Sequence, residues 1–234
     1  KSFIKKYNNS KNIHLTDKKS LDITNLNLVK ELSENIRPDI IINFAAYTSV
    51  DLAETNKYLT DQINIFGPKN LSLAANLNNS TLIHFSTDYV FDGLKKNPYN
   101  ENDIANPLSH YGKSKFLGEK EVEIISNKYL ILRVSWLFGP WKKNFVKFAI
   151  SKFKKNEDLF AVVDQFGIPT CTLDVCNFLN FIIELNNFDK LNKKYHFVNR
   201  GNVVSWYDFA KVIYKIYSQK IKTNSKIIPI KAYD

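Results

Sequence analysis

Along this chain, short apolar runs alternate with stretches in which apolar residues recur every three or four positions. Ile40, Ile41 and Ile42 stand in a row within residues 39–44, the pattern of a strand buried on both faces. Comparable runs predict strands over 12–16, 81–86, 129–135, 159–163, 195–198 and 227–230. Helical spacing predicts helices over 26–35, 108–126, 144–155, 173–186 and 205–218, and the tail of another over 1–8. Residues 54–78 read as a long helical region broken near Gly67-Pro68. Between 88 and 106 the pairs Asp92-Gly93, Asn97-Pro98 and Asn106-Pro107 mark loop chemistry. Strands that alternate with helices predict βαβ units, hence an α/β fold with a doubly wound parallel sheet. The expected division is a large domain over 1–155 and a small C-terminal α/β lobe over 156–234, partly interleaved with the sheet.

Composition narrows the class. With 234 residues, 44% hydrophobic and 14% aromatic, the chain buries a substantial core and is not disordered. No apolar stretch approaches the roughly 20 residues of a membrane span. The stretch from Lys1 to Lys11 is basic, without the apolar core of a secretion signal, so a soluble, cytoplasmic protein without a membrane role is expected. Cys171 and Cys176 are too few for a disulfide framework, and no metal site is expected. The net charge of +10 is spread along the chain rather than gathered in one stripe, which argues against nucleic acid as the partner. A positive field does suit a nucleoside diphosphate or a phosphorylated cofactor. Methionine is absent and residue 1 is Lys, which suggests a piece of a longer polypeptide.

In a doubly wound sheet the ligand lies beyond the carboxyl ends of the strands. Polar clusters follow three predicted strands here, at Asn43 to Thr48, Ser86 to Tyr89, and Ser135-Trp136. Tyr111 and Lys115 stand four apart on a predicted helix, on one face. A free phenol titrates near 10, too high for acid–base work at neutral pH, and an ammonium held beside it favours the phenolate. The spacing alone also fits a half-exposed Tyr beside a solvated Lys. Ser86 and Thr87, at a strand terminus, either polarise a carbonyl or cap the following turn.

Five segments in order resemble the extended short-chain dehydrogenase/reductases: Asn43-Phe44-Ala45-Ala46, Ser86-Thr87-Asp88-Tyr89-Val90-Phe91-Asp92-Gly93, Tyr111-Gly112-Lys113-Ser114-Lys115, Arg133-Val134-Ser135-Trp136 and Asp164-Gln165-Phe166-Gly167-Ile168-Pro169-Thr170. The last narrows the resemblance to the dTDP-4-dehydrorhamnose reductase family. It implies a Rossmann-type sheet, a dinucleotide-binding domain over 1–155 and a substrate-binding lobe over 156–234. It also implies NAD(P)H-dependent reduction of the 4-keto group of a dTDP-sugar, in nucleotide-sugar and cell-surface polysaccharide synthesis. The resemblance makes Thr87, Tyr111 and Lys115 the catalytic residues, with Lys115 lowering the Tyr111 pKa. Asp22, Ile23, Ala45, Ala46, Tyr47, Ser86, Tyr111 and Lys115 would hold the cofactor, and Asp88, Tyr89 and Trp136 the sugar. Trp136 equally suits a core position.

Lys18 and Lys19 follow the strand whose end meets the adenosine ribose in this family and favour the 2′-phosphate of NADPH. The adjacent Asp17 points to NADH. Some family members form homodimers, which is the expected assembly if there is one. One departure stands out. None of the seven glycines forms the Gly-rich loop that opens the first helix and binds the pyrophosphate, so the loop is expected to precede residue 1. The same resemblance leaves two other readings open: a related nucleotide-sugar epimerase or reductase, and a regulatory subunit like the β subunit of methionine adenosyltransferase.

Overall fold

The computed structural model of the protein describes residues 13–185 and 193–232, in two compact units: residues 13–134 with 181–185 and 193–197, and residues 135–180 with 198–232. In chain order the first unit begins with α1 (Leu26–Ile36), β1 (Ile40–Asn43), α2 (Val50–Thr55) and α3 (Lys57–Asp61). A π-helical segment (Gln62–Phe66) leads into α4 (Gly67–Leu77), followed by β2 (Thr81–Thr87), a 3-10 turn (Asp88–Val90), α5 (His110–Ile125) and β3 (Tyr129–Val134). The second unit contains β4 (Leu137–Phe138), α6 (Phe145–Lys154), β5 (Leu159–Val162), β6 (Phe166–Gly167) and β7 (Thr170–Cys171). Helix α7 (Thr172–Leu185) runs from the second unit into the first, which β8 (Lys193–Phe197) completes. The second unit closes with β9 (Val204–Ser205), α8 (Trp206–Ser218) and β10 (Ile227–Ile230).

Strands β1, β2, β3 and β8 form one parallel sheet in that order, with Ile42 opposite Ile83, Ile83 opposite Leu130, and Leu132 opposite Tyr195. Parallel neighbours require crossover helices, which the alternation of patterns along the chain anticipated. Ile83, Leu130 and Leu132 are as fully buried as Leu82 and Ile131, so both faces of the central strands are covered, as double winding requires. The helix boundaries have local causes. Asn25 caps α1 by accepting from the amides of Asn27 and Leu28, and Arg37 ends it in a left-handed conformation just before Pro38. Ser109 caps α5 through the Gly112 amide at 3.1 Å.

One sheet face explains the whole site. Ile41, Leu82 and Ile131 point to α1, α4 and α5, where Val29, Leu71, Ala74, Ala75 and Val122 close an apolar core. Two residues further along each strand the same face carries Asn43, His84 and Arg133, then Ser86 beyond His84, all buried. Helix α5 runs back along this face and matches the change, with Val122 over the apolar end and Glu119 and Lys115 over the polar one. The sheet is thus oily at one end and wired with hydrogen bonds at the end where ligands bind in such folds.

Two expectations differ from the fold. Residues 13–17 form no strand: among the described residues no strand lies beside them to supply ladder hydrogen bonds, and Asp17 closes a turn with Ser20 instead. The region 54–78 is not simply broken at Gly67-Pro68, because a π-helical segment precedes Gly67 and lets Pro68 enter at the start of α4, where its missing N–H costs nothing. The helix tail expected over 1–8 lies outside the described residues.

In the second unit β5 pairs in parallel with β10, Leu159 opposite Ile227. Helices α6 and α8 pack there through Ala149, Phe153, Ala210, Ile213 and Tyr217. The two-residue bridges β4–β7 and β6–β9 have no counterpart in the sequence reading, since two residues carry no periodicity. No helix among the described residues is long and apolar enough to cross a membrane.

Candidate active site

Strand β2 delivers Ser86 and Thr87 to its carboxyl end, and the chain turns at once. The Thr87 hydroxyl oxygen accepts from the Tyr89 amide at 3.2 Å and its proton goes to Asp88 Oδ1 at 3.1 Å. Thr87 therefore does cap the turn, and it lies close enough to the Tyr111 phenol to hold its pKa down in part. Tyr111 sits in the first turn of α5, edge-on to the Tyr89 ring at 5.7 Å between centroids. Gly112 makes this approach possible, since a Cβ there would lie 2.1 Å from the Tyr89 carbonyl oxygen. Thr87, Asp88, Tyr89 and Tyr111 thus converge on one spot.

Lys115 lies one turn along α5, 2% exposed. Its Nζ donates to the Phe85 carbonyl at 2.6 Å and lies 3.3 Å from His84 Nε2. Burial brings its pKa down to about 8 against the pull of Glu119. Burial also pushes the Tyr111 phenol up to about 12, partly offset by Thr87. The expected lowering of the phenol by Lys115 is therefore not seen, because the Lys115 amine is turned onto β2. Asp88 is raised to about 6 by the same desolvation, against its bonds with Thr87 and Tyr89.

Four residues to which the sequence reading gave no role, Asn43, Asn64, Glu119 and Arg133, hold this arrangement. Asn64, from the π-helical segment, accepts from the Tyr47 amide at 2.8 Å and donates to the Tyr47 carbonyl and to Ser114 Oγ. It ties the loop after β1 to α5 beside Lys115. Asn43 accepts from the Ala45 amide at 2.9 Å and faces His84 Nδ1 at 3.1 Å. Glu119 accepts from Ser86 Oγ at 2.5 Å and from Arg133 Nε and Nη2 at 2.8 and 2.7 Å. A signal for the last pair existed: an arginine inside the apolar run of β3 must find a buried partner.

The remaining candidates spread wider. Asp22 binds the amide and hydroxyl of Thr24, and Ile23 packs over Gly67 while Asn70 holds the Ile23 carbonyl at 2.9 Å. Ala45 is exposed, Ala46 and Tyr47 are half-buried, and the adjoining Phe44, 55% exposed, stacks on Phe85. Asp17 spends its carboxylate on the amides of Lys19 and Ser20, leaving the exposed Lys18 and Lys19 as the charges of that turn. In the second unit Trp136 takes a left-handed backbone, φ 41°, and stacks on Trp206 at 3.5 Å and 6°. Gly167 lies against the same indole, and a Cβ there would fall 2.4 Å from Cε2.

The family defined by the RmlD substrate binding domain matches residues 2–234. The dTDP-4-dehydrorhamnose reductase of Aggregatibacter actinomycetemcomitans is 43% identical over 91% of this chain and 73% of its own length. That of Escherichia coli is 38% identical over 87% of this chain and 68% of its own. A crystal structure of a Bacillus anthracis dTDP-4-dehydrorhamnose reductase, in complex with NADP, superposes with a TM-score of 0.87 at 38% identity, covering 94% of this chain and 76% of that one. A Clostridium acetobutylicum structure of the same name gives 0.89 at 38%, covering 99% and 80%. With the family match running over nearly its full length and a parallel sheet shared with these reductases, the chain belongs to the RmlD substrate binding domain family.

Proposed function

We propose that this chain reduces the 4-keto group of dTDP-4-dehydro-L-rhamnose to give dTDP-L-rhamnose, with NADPH as reductant and NADH as the lesser alternative. The observation that carries the reading is Tyr111 brought beside Thr87, Asp88 and Tyr89 at the carboxyl end of β2, with Lys115 one helical turn away. The names of the relatives at 43% and 38% identity support the substrate, and the NADP in the Bacillus anthracis structure supports the cofactor.

The residues present fit a dinucleotide. The carboxyl end of β1 offers an exposed apolar face at Phe44 and the small side chain of Ala45. Asp17 is committed to its own turn, so Lys18 and Lys19 favour a 2′-phosphate. Asp22, Ile23, Ala45, Ala46, Tyr47, Ser86, Tyr111 and Lys115 are the residues assigned to hold it. Of these, Ser86 has its hydroxyl proton committed to Glu119. The cofactor supplies hydride to the sugar C4.

Tyr111 keeps its proton on Oη throughout the neutral range, since burial holds the phenol at about 12. It gives that proton to the C4 oxygen as hydride reaches C4, and the ketone becomes a secondary alcohol at the cost of one proton from water. Thr87 orients the same oxygen once its hydroxyl proton turns from Asp88 to the ketone, and Asp88 and Tyr89, beside Tyr111, face the sugar. The test is loss of NADPH absorbance with dTDP-4-dehydro-L-rhamnose. Tyr111→Phe lowers turnover by about 10²- to 10⁴-fold while NADPH still binds. Wild-type protein that binds NADPH and leaves this sugar unreduced refutes the assignment.

A further inference from the structure

Behind Lys115, buried polar groups form a chain with a definite direction. The Ala45 amide donates to Asn43 Oδ1 at 2.9 Å, which fixes the orientation of the Asn43 carboxamide. Its Nδ2 therefore faces His84 Nδ1, at 3.1 Å, as a donor. A carboxamide turned the other way would set two N–H groups against each other at Ala45. His84 Nδ1 must then accept, and a neutral imidazole with an accepting Nδ1 carries its proton on Nε2. That Nε2 lies 3.3 Å from Lys115 Nζ, whose other partner, the Phe85 carbonyl, only accepts.

An ammonium at Lys115 would face an imidazole N–H donor to donor, whereas an uncharged amine accepts from it. His84 is completely buried, and burial together with Lys115 holds its pKa well below the ordinary value, so the ring is neutral. We propose that His84 is a positioning residue for Lys115: fixed by Asn43 with its proton on Nε2, it opposes charging of the Lys115 amine. Lys115 then gives up its proton more readily than an ordinary lysine does, which matters to how Tyr111 regains its proton from water after donating it. This consequence rests on the reductase reading, whereas the hydrogen-bond direction does not.

The groups facing the pair come from each packed element. From β1 it is Asn43, and from β2 the Phe85 carbonyl. From α5 it is Glu119, held by Arg133 of β3 and 3.7 Å from Lys194 of β8. Tyr111 precedes Lys115 by one turn of α5, with Asp88 acting on its phenol. None of these has a donor or acceptor role that would reverse the Asn43–His84 bond.

The test is nuclear magnetic resonance on the labelled protein, following the His84 ring nitrogens and the Lys115 side-chain carbon next to Nζ across pH. Lys115→Arg identifies the lysine signal. The expected wild-type tautomer carries hydrogen on Nε2. In His84→Phe, Lys115 holds its proton about tenfold more tightly, the worth of one lost hydrogen bond. Asn43→Asp, nearly isosteric, accepts from Nδ1–H, moves the ring proton to Nδ1 and turns Nε2 into an acceptor for the ammonium. A wild-type ring protonated on Nδ1 overturns the proposal, as does a Lys115 midpoint that stays or falls in His84→Phe. If His84→Phe does not fold, an Asn43→Asp ring that keeps its proton on Nε2 overturns it equally. When these shifts occur but the pH profile of reduction in Asn43→Asp stays with wild type, the positioning holds and the catalytic role of Lys115 fails.

Discussion

Asp88→Asn separates stability from function at the centre of the candidate site. The carboxyl of Asp88 is raised from its ordinary 3.8 to about 6 by desolvation, so its charged form is unfavourable in the fold. Between pH 4 and pH 6 the folded chain binds more protons at this residue than the unfolded one, so its contribution to stability falls as pH rises through that window and is then flat. Two pH units at 1.36 kcal/mol each put the full cost near about 3 kcal/mol, and partial exposure of the residue brings it to about 2. Asparagine keeps an oxygen for the Thr87 hydroxyl without the charge. Thermal unfolding of both proteins at pH 4.5 and pH 7.5 reads the effect. The variant melts about 4–8 °C above wild type at the higher pH, with most of the gain gone at the lower. Turnover falls in the same variant if, as proposed, Asp88 faces the sugar. An advantage that is equal at both pH values, or larger in acid, refutes the desolvation argument.

Other outcomes follow from single contacts. Glu119→Gln leaves the Arg133 guanidinium, 2% exposed, without its counter-charge, and costs about 3–5 kcal/mol by denaturant unfolding. Replacing Glu119 and Arg133 together by Met recovers most of that loss. Gly118→Ala places a Cβ 2.1 Å from the Asn64 carbonyl oxygen, so α5 must shift from the π-helical segment; about 1–3 kcal/mol is lost and the affinity for NADPH falls through Tyr47, read by fluorescence titration. Gly167→Ala drives a methyl into the Trp136 indole and breaks its 6° stack on Trp206, seen as a change in near-ultraviolet circular dichroism.

The chain of residues by itself determined the alternation of strands and helices, and with it a parallel sheet covered on both faces. Periodicity suffices there, because each strand or helix declares which of its sides must leave water. The family resemblance of its ordered segments, rather than any local spacing, joined Thr87 with Tyr111 at one end of that sheet. Tertiary structure decided what those groups can do. Tyr111 and Lys115 share a helix face in sequence, yet burial raises the phenol, and the amine turns to the Phe85 carbonyl and His84, partners some 30 residues away. Apart from the lone charge of Arg133 in an apolar run, the partnerships of Asn43, Asn64, Glu119 and Arg133 could not be read, because a hydrogen bond between distant segments leaves no spacing. The polar half of the sheet face lies in the same case: Ile41 with Asn43, Leu82 with His84 and Ile131 with Arg133 each look like an ordinary pair two residues apart. Only the register of three parallel strands sets Asn43 beside His84 and Ser86 beside Arg133, beneath Lys115 and Glu119 of α5.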